Sequence, residues 1–277
     1  GRRMWAAFQL LAPVAAASLS PEYTEYVSAC PYPATMRATN VSSAQMRRVM
    51  RDYFAGTRFD LTQGMAAGPF GSPARMQAVA GAVGNFERPI AISRTIISYV
   101  LVSRSWLPPE VGGVLWWSSH AAHTSVYVPF VTGALSAGVA LPAGFTSNSG
   151  AVDRGIGAWQ ASHFVFNAAQ LEFTRSIVTI RQAQQVWEQE GEAFLNTSAS
   201  EFVSGEASLA EVVRRGYAHA VAAVAAWWEL SDQLMLAASY PVSDSYPAWW
   251  LADPAVGYAQ GPPPSPDVPP LQPHTLR

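Results

Sequence analysis

The chain has 277 residues, of which 49% are hydrophobic and only 13% charged, with a formal net charge of −2. That composition excludes a disordered chain, and the near-zero charge gives no electrostatic basis for binding nucleic acid or an anionic membrane. All 17 basic residues are arginine and Cys30 is the single cysteine, which excludes a lysine-dependent phosphate loop or Schiff base, an intrachain disulfide, a cysteine zinc cluster and a CxxC redox site.

In chain order, Gly1-Arg2-Arg3 and the apolar Met4–Leu11, followed by Pro13–Ser18, mimic a secretory signal. We read this segment as a helix or strand of the fold, with Gly1 a processing or truncation point. Pro21, Pro31 and Pro33 forbid long helices before residue 57. Ala44 to Phe54 predicts a short helix capped by Ser42 or Ser43, with Met46, Val49, Met50 and Tyr53 on one face. Residues 56–76 form a Gly/Pro-rich loop of a length that tends to be functional.

Three strands are expected at Ile90–Val102, Val111–Ser118 and Thr124–Phe130, separated by turns and forming an antiparallel meander. Helical periodicity then runs from Ala158 to Asn196, through Phe166, Ala169, Phe173, Ile177, Ile180 and Trp187, and again from Ser208 to Ser239. Ser208-Leu209-Ala210-Glu211 reads as a capping box for the second helix. Two long antiparallel helices on a sheet make a layered α+β domain over residues 1–260, and the proline-rich tail, 261–277, is expected to be extended. No apolar run reaches the ~18 residues of a membrane span. A surface this poor in charge on a chain with 10 Trp suggests that another chain covers part of it.

Few residues offer chemistry. The histidines are scattered and no Gly-x-Ser-x-Gly elbow occurs. His120 and His123 read as a solvated turn, His219 as a packing residue and Cys30 as a buried thiol. Arg94, in the middle of an apolar strand, is expected inside the fold, where it must meet a carboxylate such as Glu87 or Asp60, or serve as an anion clamp. Asn40-Val41-Ser42 and Asn196-Thr197-Ser198 are glycosylation sequons, which lean towards a secretory, lysosomal or extracellular route. Asn196 is expected beyond the end of the first long helix.

Several collinear segments carry a family resemblance. Arg58-Phe59-Asp60-Leu61-Thr62-Gln63-Gly64 with Ala67-Gly68-Pro69-Phe70-Gly71-Ser72-Pro73-Ala74-Arg75, then Glu87-Arg88-Pro89-Ile90 to Arg94-Thr95, resemble successive segments of the dipeptidase A and secernin family of cysteine peptidases. Gly112–Trp116, Thr124–Phe130, Arg2–Trp5 and Pro247–Leu251 extend the likeness from residue 1 to about 258. The family belongs to the N-terminal-nucleophile hydrolases, and this sequence resembles its C-terminal part.

The resemblance implies a four-layer αββα sandwich, with this chain supplying part of the sheet and two long helices. It implies hydrolysis of a dipeptide by a cysteine that begins a companion N-terminal chain of the same precursor, without a cofactor and in a higher oligomer. Arg94 would then be an active-site arginine, with Asp60 for a substrate amine and Arg75 for its carboxylate, unless the latter two anchor their loop. A related N-acyl amide hydrolase, or an inactive structural subunit, would share the same residues.

Overall fold

The computed structural model describes residues 1–19, 36–38, 40–64, 67–74, 88–142, 145 and 157–238. The opening segment is helical, α1 (Arg2–Leu11) and α2 (Pro13–Ala16), burying Trp5, Ala6 and Ala16. Helix α3 (Ser43–Met50) starts at a reciprocal capping box: Ser42 accepts from the Gln45 amide while the Gln45 side chain takes the Ser42 amide. The expected meander is present as β1 (Ile97–Ser103), β2 (Gly113–Ser119) and β3 (Val128–Val131), antiparallel in that order, with a helical turn α4 (Pro109–Gly112) before β2. Val100, Trp116 and Pro129 share one face of this sheet, and Tyr99, Trp117 and Val128 the other.

Three long helices follow: α5 (Ala158–Leu171), α6 (Phe173–Ser204) and α7 (Leu209–Ala238). The expected single helix from Ala158 is thus two. The break falls at Glu172, whose φ of −153° and ψ of 65° leave the helical region. Its cause is tertiary. The loop around Phe70 docks there, so that the Thr174 amide donates to the Phe70 carbonyl at 3.1 Å and Ser72 bonds Gln170. Gly71 sits at positive φ against Thr62 and Thr174, where a Cβ would lie 2.9 Å from the Thr174 methyl.

Helix α6 ends at Gly205, in the left-handed conformation, and Ser208 and Glu211 then cap α7 reciprocally, as the sequence predicts. Contacts Glu201–Arg215, Phe194–Gly216 and Trp187–His219 run in opposite directions along α6 and α7, so the pair is antiparallel. Helices α3 and α6 cover the sheet face that carries Trp116; Gly191 on α6 lets that helix close on the sheet, since a Cβ there would lie 3.0 Å from the Trp116 ring. Helices α5 and α7 cover Trp117 and Val128 on the other face. Among the described residues there is one sheet with helices on both faces, an α+β arrangement; they do not include the second sheet of an αββα sandwich. No described helix is long and apolar enough to cross a membrane. The tail expected from residue 261 lies outside the described residues.

The cover is incomplete at β1. On the Trp117 side, Ile97, Tyr99 and Leu101 are 51%, 58% and 69% exposed, flanked by Ile96 and Trp106. Burying one such side chain contributes roughly 1.5–3 kcal/mol, so a row of them left in water is a substantial unsatisfied driving force.

Candidate functional site

Antiparallel pairing places Ile97 opposite Ser119 and Trp117 opposite Val128, so the entry to β1, the exit of β2 and the entry to β3 share one end of the sheet. The connection from β2 to β3 there, Ser119 to Tyr127, is buried throughout. A buried loop must have its backbone groups satisfied. Side chains from three helices do so. Arg51 donates to the Ala122 and Ser125 carbonyls, both at 3.1 Å. Gln184 donates to His123 and Ser125 carbonyls at 3.1 and 2.9 Å, and the Trp227 indole to Thr124 at 3.0 Å.

Glu188 on α6 ties the arrangement together. One oxygen accepts from Arg47 Nε at 3.0 Å and Arg51 Nη1 at 3.1 Å; the other accepts from the Tyr127 amide at 3.1 Å and from Arg51 Nη2. Arg47 also reaches Glu192 at 3.1 Å and lies over the Trp116 ring at 3.8 Å. Both guanidinium groups are therefore paired and stacked, which is the condition for burying them.

Above this lock opens a cleft of about 600 Å³ between α3, the turn after it, and α6. Arg48, Arg51, Asp52, Tyr53, His123 and Arg181 line it. Burial raises the Asp52 carboxyl above its ordinary value, against the backbone amides of Phe54 and Ala55. Arg181 donates to the Tyr53 hydroxyl at 2.7 Å. His123 forms part of the cleft wall, 3% exposed, between the rings of Tyr53, Phe166 and Phe173, with neither ring nitrogen hydrogen-bonded. Burial pushes it down to about 3, so it is neutral.

Next to it, His120 occupies the left-handed region at φ 62° and is pushed down to about 4, first by burial and then by His163. His163 Nδ1 and His120 Nε2 are 2.9 Å apart, and Asn167 Nδ2 and His163 Nε2 3.0 Å. With the Asn167 amide donating, the network assigns the Nδ1–H tautomer to both rings. Trp159 stacks on His163 at 4.8 Å. The solvated turn expected for His120 and His123 is corrected: aromatic rings of α5 and α6 fold over both. Among the described residues no cluster of three or more His, Cys, Asp or Glu could hold a metal ion.

Arg94 does not lie inside the fold. It sits in an exposed turn three residues before β1, at the same end of the sheet as His120, whose amide donates to the Ile96 carbonyl at 2.8 Å. The strand begins at Ile97 rather than Ile90 because the Ile90–Thr95 stretch closes into turns, with Ala91 bonded to the Asp52 carbonyl at 2.9 Å. Asp60 spends both oxygens within its own loop, on the Gly56 amide at 2.8 Å and on the Thr62 amide and hydroxyl at 2.9 and 2.6 Å, the geometry of a loop anchor. Arg75, Glu87 and Cys30 lie outside the described residues. Asn40 is exposed ahead of α3; Asn196 is exposed on α6 itself, because that helix continues to Ser204.

Sequence reasoning missed the cleft. Its one legible trace is paired spacing: Arg47 on α3 and Arg51 at its C-cap are four apart, as are Glu188 and Glu192 on α6, so each pair faces one way.

A profile of peptidase family C69 matches residues 1–185, which hold α1 to α5, all three strands and the start of α6. No curated protein matches the chain. The matched stretch takes in the Arg58–Arg75 loop, the Glu87–Thr95 segment and the two strands after it, though not Pro247–Leu251. The chain belongs to peptidase family C69, the cysteine peptidases of dipeptidase A and secernin type.

Proposed function

We propose that this chain is the C-terminal part of a cysteine dipeptidase whose nucleophile is the first residue of a companion segment from the same precursor. The thiolate attacks the scissile carbonyl, and its own α-amino group takes the thiol proton and passes it to the leaving amine. The C–N bond breaks, a thioester forms, and water hydrolyses it to the free carboxylate. In this reading Arg94, exposed in the turn before β1, supplies a planar guanidinium to the developing oxyanion.

The observation that carries this reading is the uncovered face of β1, Ile97, Tyr99 and Leu101, on an outer strand of the described sheet. A companion layer packed on that face buries the apolar row, and a strand paired to the outer edge of β1 would extend the described sheet.

The test is N-terminal sequencing of every chain in the purified particle, with a dipeptide assay. A second chain beginning with cysteine is expected, with activity abolished by iodoacetamide yet retained in Cys30→Ser. Arg94→Lys is expected to melt with the parent and to lower kcat/KM by about tenfold or more. A particle holding this chain alone, or one in which Cys30→Ser removes activity, overturns the reading.

A further inference from the structure

The cleft over Glu188 holds more positive charge than its own carboxylates neutralise. Arg51 is committed to Glu188 and to two carbonyls. Asp52 turns an oxygen to the Phe54 amide at 3.0 Å and is held towards its neutral form by burial. Arg48 and Arg181 have no carboxylate within ion-pair distance among the described residues, and both are exposed to the cleft. Arg181 spends one N–H on Tyr53, orienting the guanidinium, and leaves its others free. Because the Tyr53 oxygen accepts that bond, its own proton is available, and Tyr53 lines the cleft. His123 adds an unused N–H in the wall, from a side chain 3% exposed. A buried donor without an acceptor is unfavourable by the loss of its water and is restored by a ligand oxygen.

We propose that this cleft is a binding subsite for the carboxylate of a small organic acid, held by Arg181 and Arg48 with the Tyr53 hydroxyl and the His123 ring as further donors. An oxyanion with two oxygens matches the guanidinium fork of Arg181. The volume of about 600 Å³ suits a ligand of one or two residues. Ile177 and Leu10 supply apolar wall for its side chain. The carrier of that carboxylate, a peptide with a free C-terminus, rests on the dipeptidase reading; the subsite itself does not.

The experiment is calorimetric titration of the full chain, with any companion it purifies with, using N-acetyl-leucine, its uncharged amide N-acetyl-leucinamide, and inorganic phosphate. The acid is expected to bind about tenfold or more tightly than the amide. Arg181→Gln is expected to abolish that preference, Arg181→Lys to restore part of it, and Tyr53→Phe to weaken the acid alone. Arg214→Gln, exposed on α7, is the control and leaves binding unchanged. Melting curves separate misfolded variants from silent ones. Equal binding of acid and amide, or an Arg181→Gln protein that still prefers the acid, overturns the subsite, as does phosphate binding more tightly than the acid. A protein that prefers the acid yet hydrolyses no dipeptide keeps the subsite and removes the dipeptidase reading. One that hydrolyses dipeptides with no acid preference does the reverse.

Discussion

Glu188→Ala is expected to destabilise the fold by about 3–5 kcal/mol, the range for removing one partner from a buried ion pair. The carboxylate is 8% exposed and serves Arg47, Arg51 and the Tyr127 amide together. Its removal leaves Arg47, itself 2% exposed, with the Ser43 hydroxyl and the half-exposed Glu192, and leaves the Tyr127 amide without its acceptor. Glu188→Gln keeps the shape and one acceptor, so it should fall between Ala and the parent. Glu192→Ala is the internal comparison. Its side chain is 41% exposed, and an ion pair of that kind contributes about 0–1 kcal/mol. Urea unfolding of the three variants measures the order. If Glu188→Ala is no worse than Glu192→Ala, the lock does not hold the loop.

Acid should begin to destabilise the protein below about pH 6.5, before most carboxylates titrate. His123 and His120 are pushed down to about 3 and about 4 in the fold, both chiefly by burial, from an ordinary value of 6.5. The unfolded chain therefore binds more protons below pH 6.5, and stability falls as pH falls. The stabilisation is complete above 6.5, is lost progressively between 6.5 and the folded values, and falls no further below them. Each histidine contributes a slope of about 1.4 kcal/mol per pH unit inside its window, so the two together approach about 3. His163 and His219, also lowered by burial, act in the same direction. By about pH 4.5 the accumulated loss, about 5 kcal/mol, reaches the lower end of a whole domain's stability. Denaturant midpoints between pH 8 and 5 measure the slope. His123→Leu, apolar and of similar volume among Tyr53, Phe166 and Phe173, should remove up to about 1.4 kcal/mol per pH unit of it. A midpoint that is flat across this range would show that the two rings keep their proton in the folded state.

Much of the fold was legible because it is encoded locally. The capping box at Ser208 is specified within four residues and appears, and of the two caps read for α3, Ser42 or Ser43, it is Ser42 that caps. The apolar stripe of α7, from Val212 to Leu234, is buried as its 3.6-residue period requires. What was not legible depends on partners distant in sequence. The break at Glu172 carries no Pro or Gly; it is set by a carbonyl from Phe70. Arg94 read as interior because its neighbours are apolar, yet those neighbours form turns and an outer strand that is itself exposed. His120 and His123 read as solvated because a His-x-x-His between strands resembles a turn. Nothing nearby announces that Phe166 and Phe173 will cover them. The cleft needs α3 and α6 side by side, 137 residues apart at Arg51 and Glu188, a distance over which no local pattern speaks.

That same separation has a kinetic meaning. The α6–α7 hairpin closes through the short turn from Gly205 to Ser208, so its entropy of closure is small and it can form early. The bond between Arg51 and Glu188 instead waits for most of the chain to be collected, and belongs to the late side of the folding barrier. Substitutions at Glu188 should then act on the rate of unfolding and leave refolding nearly unchanged, so the lock sets how long a folded molecule lasts rather than how quickly one is made.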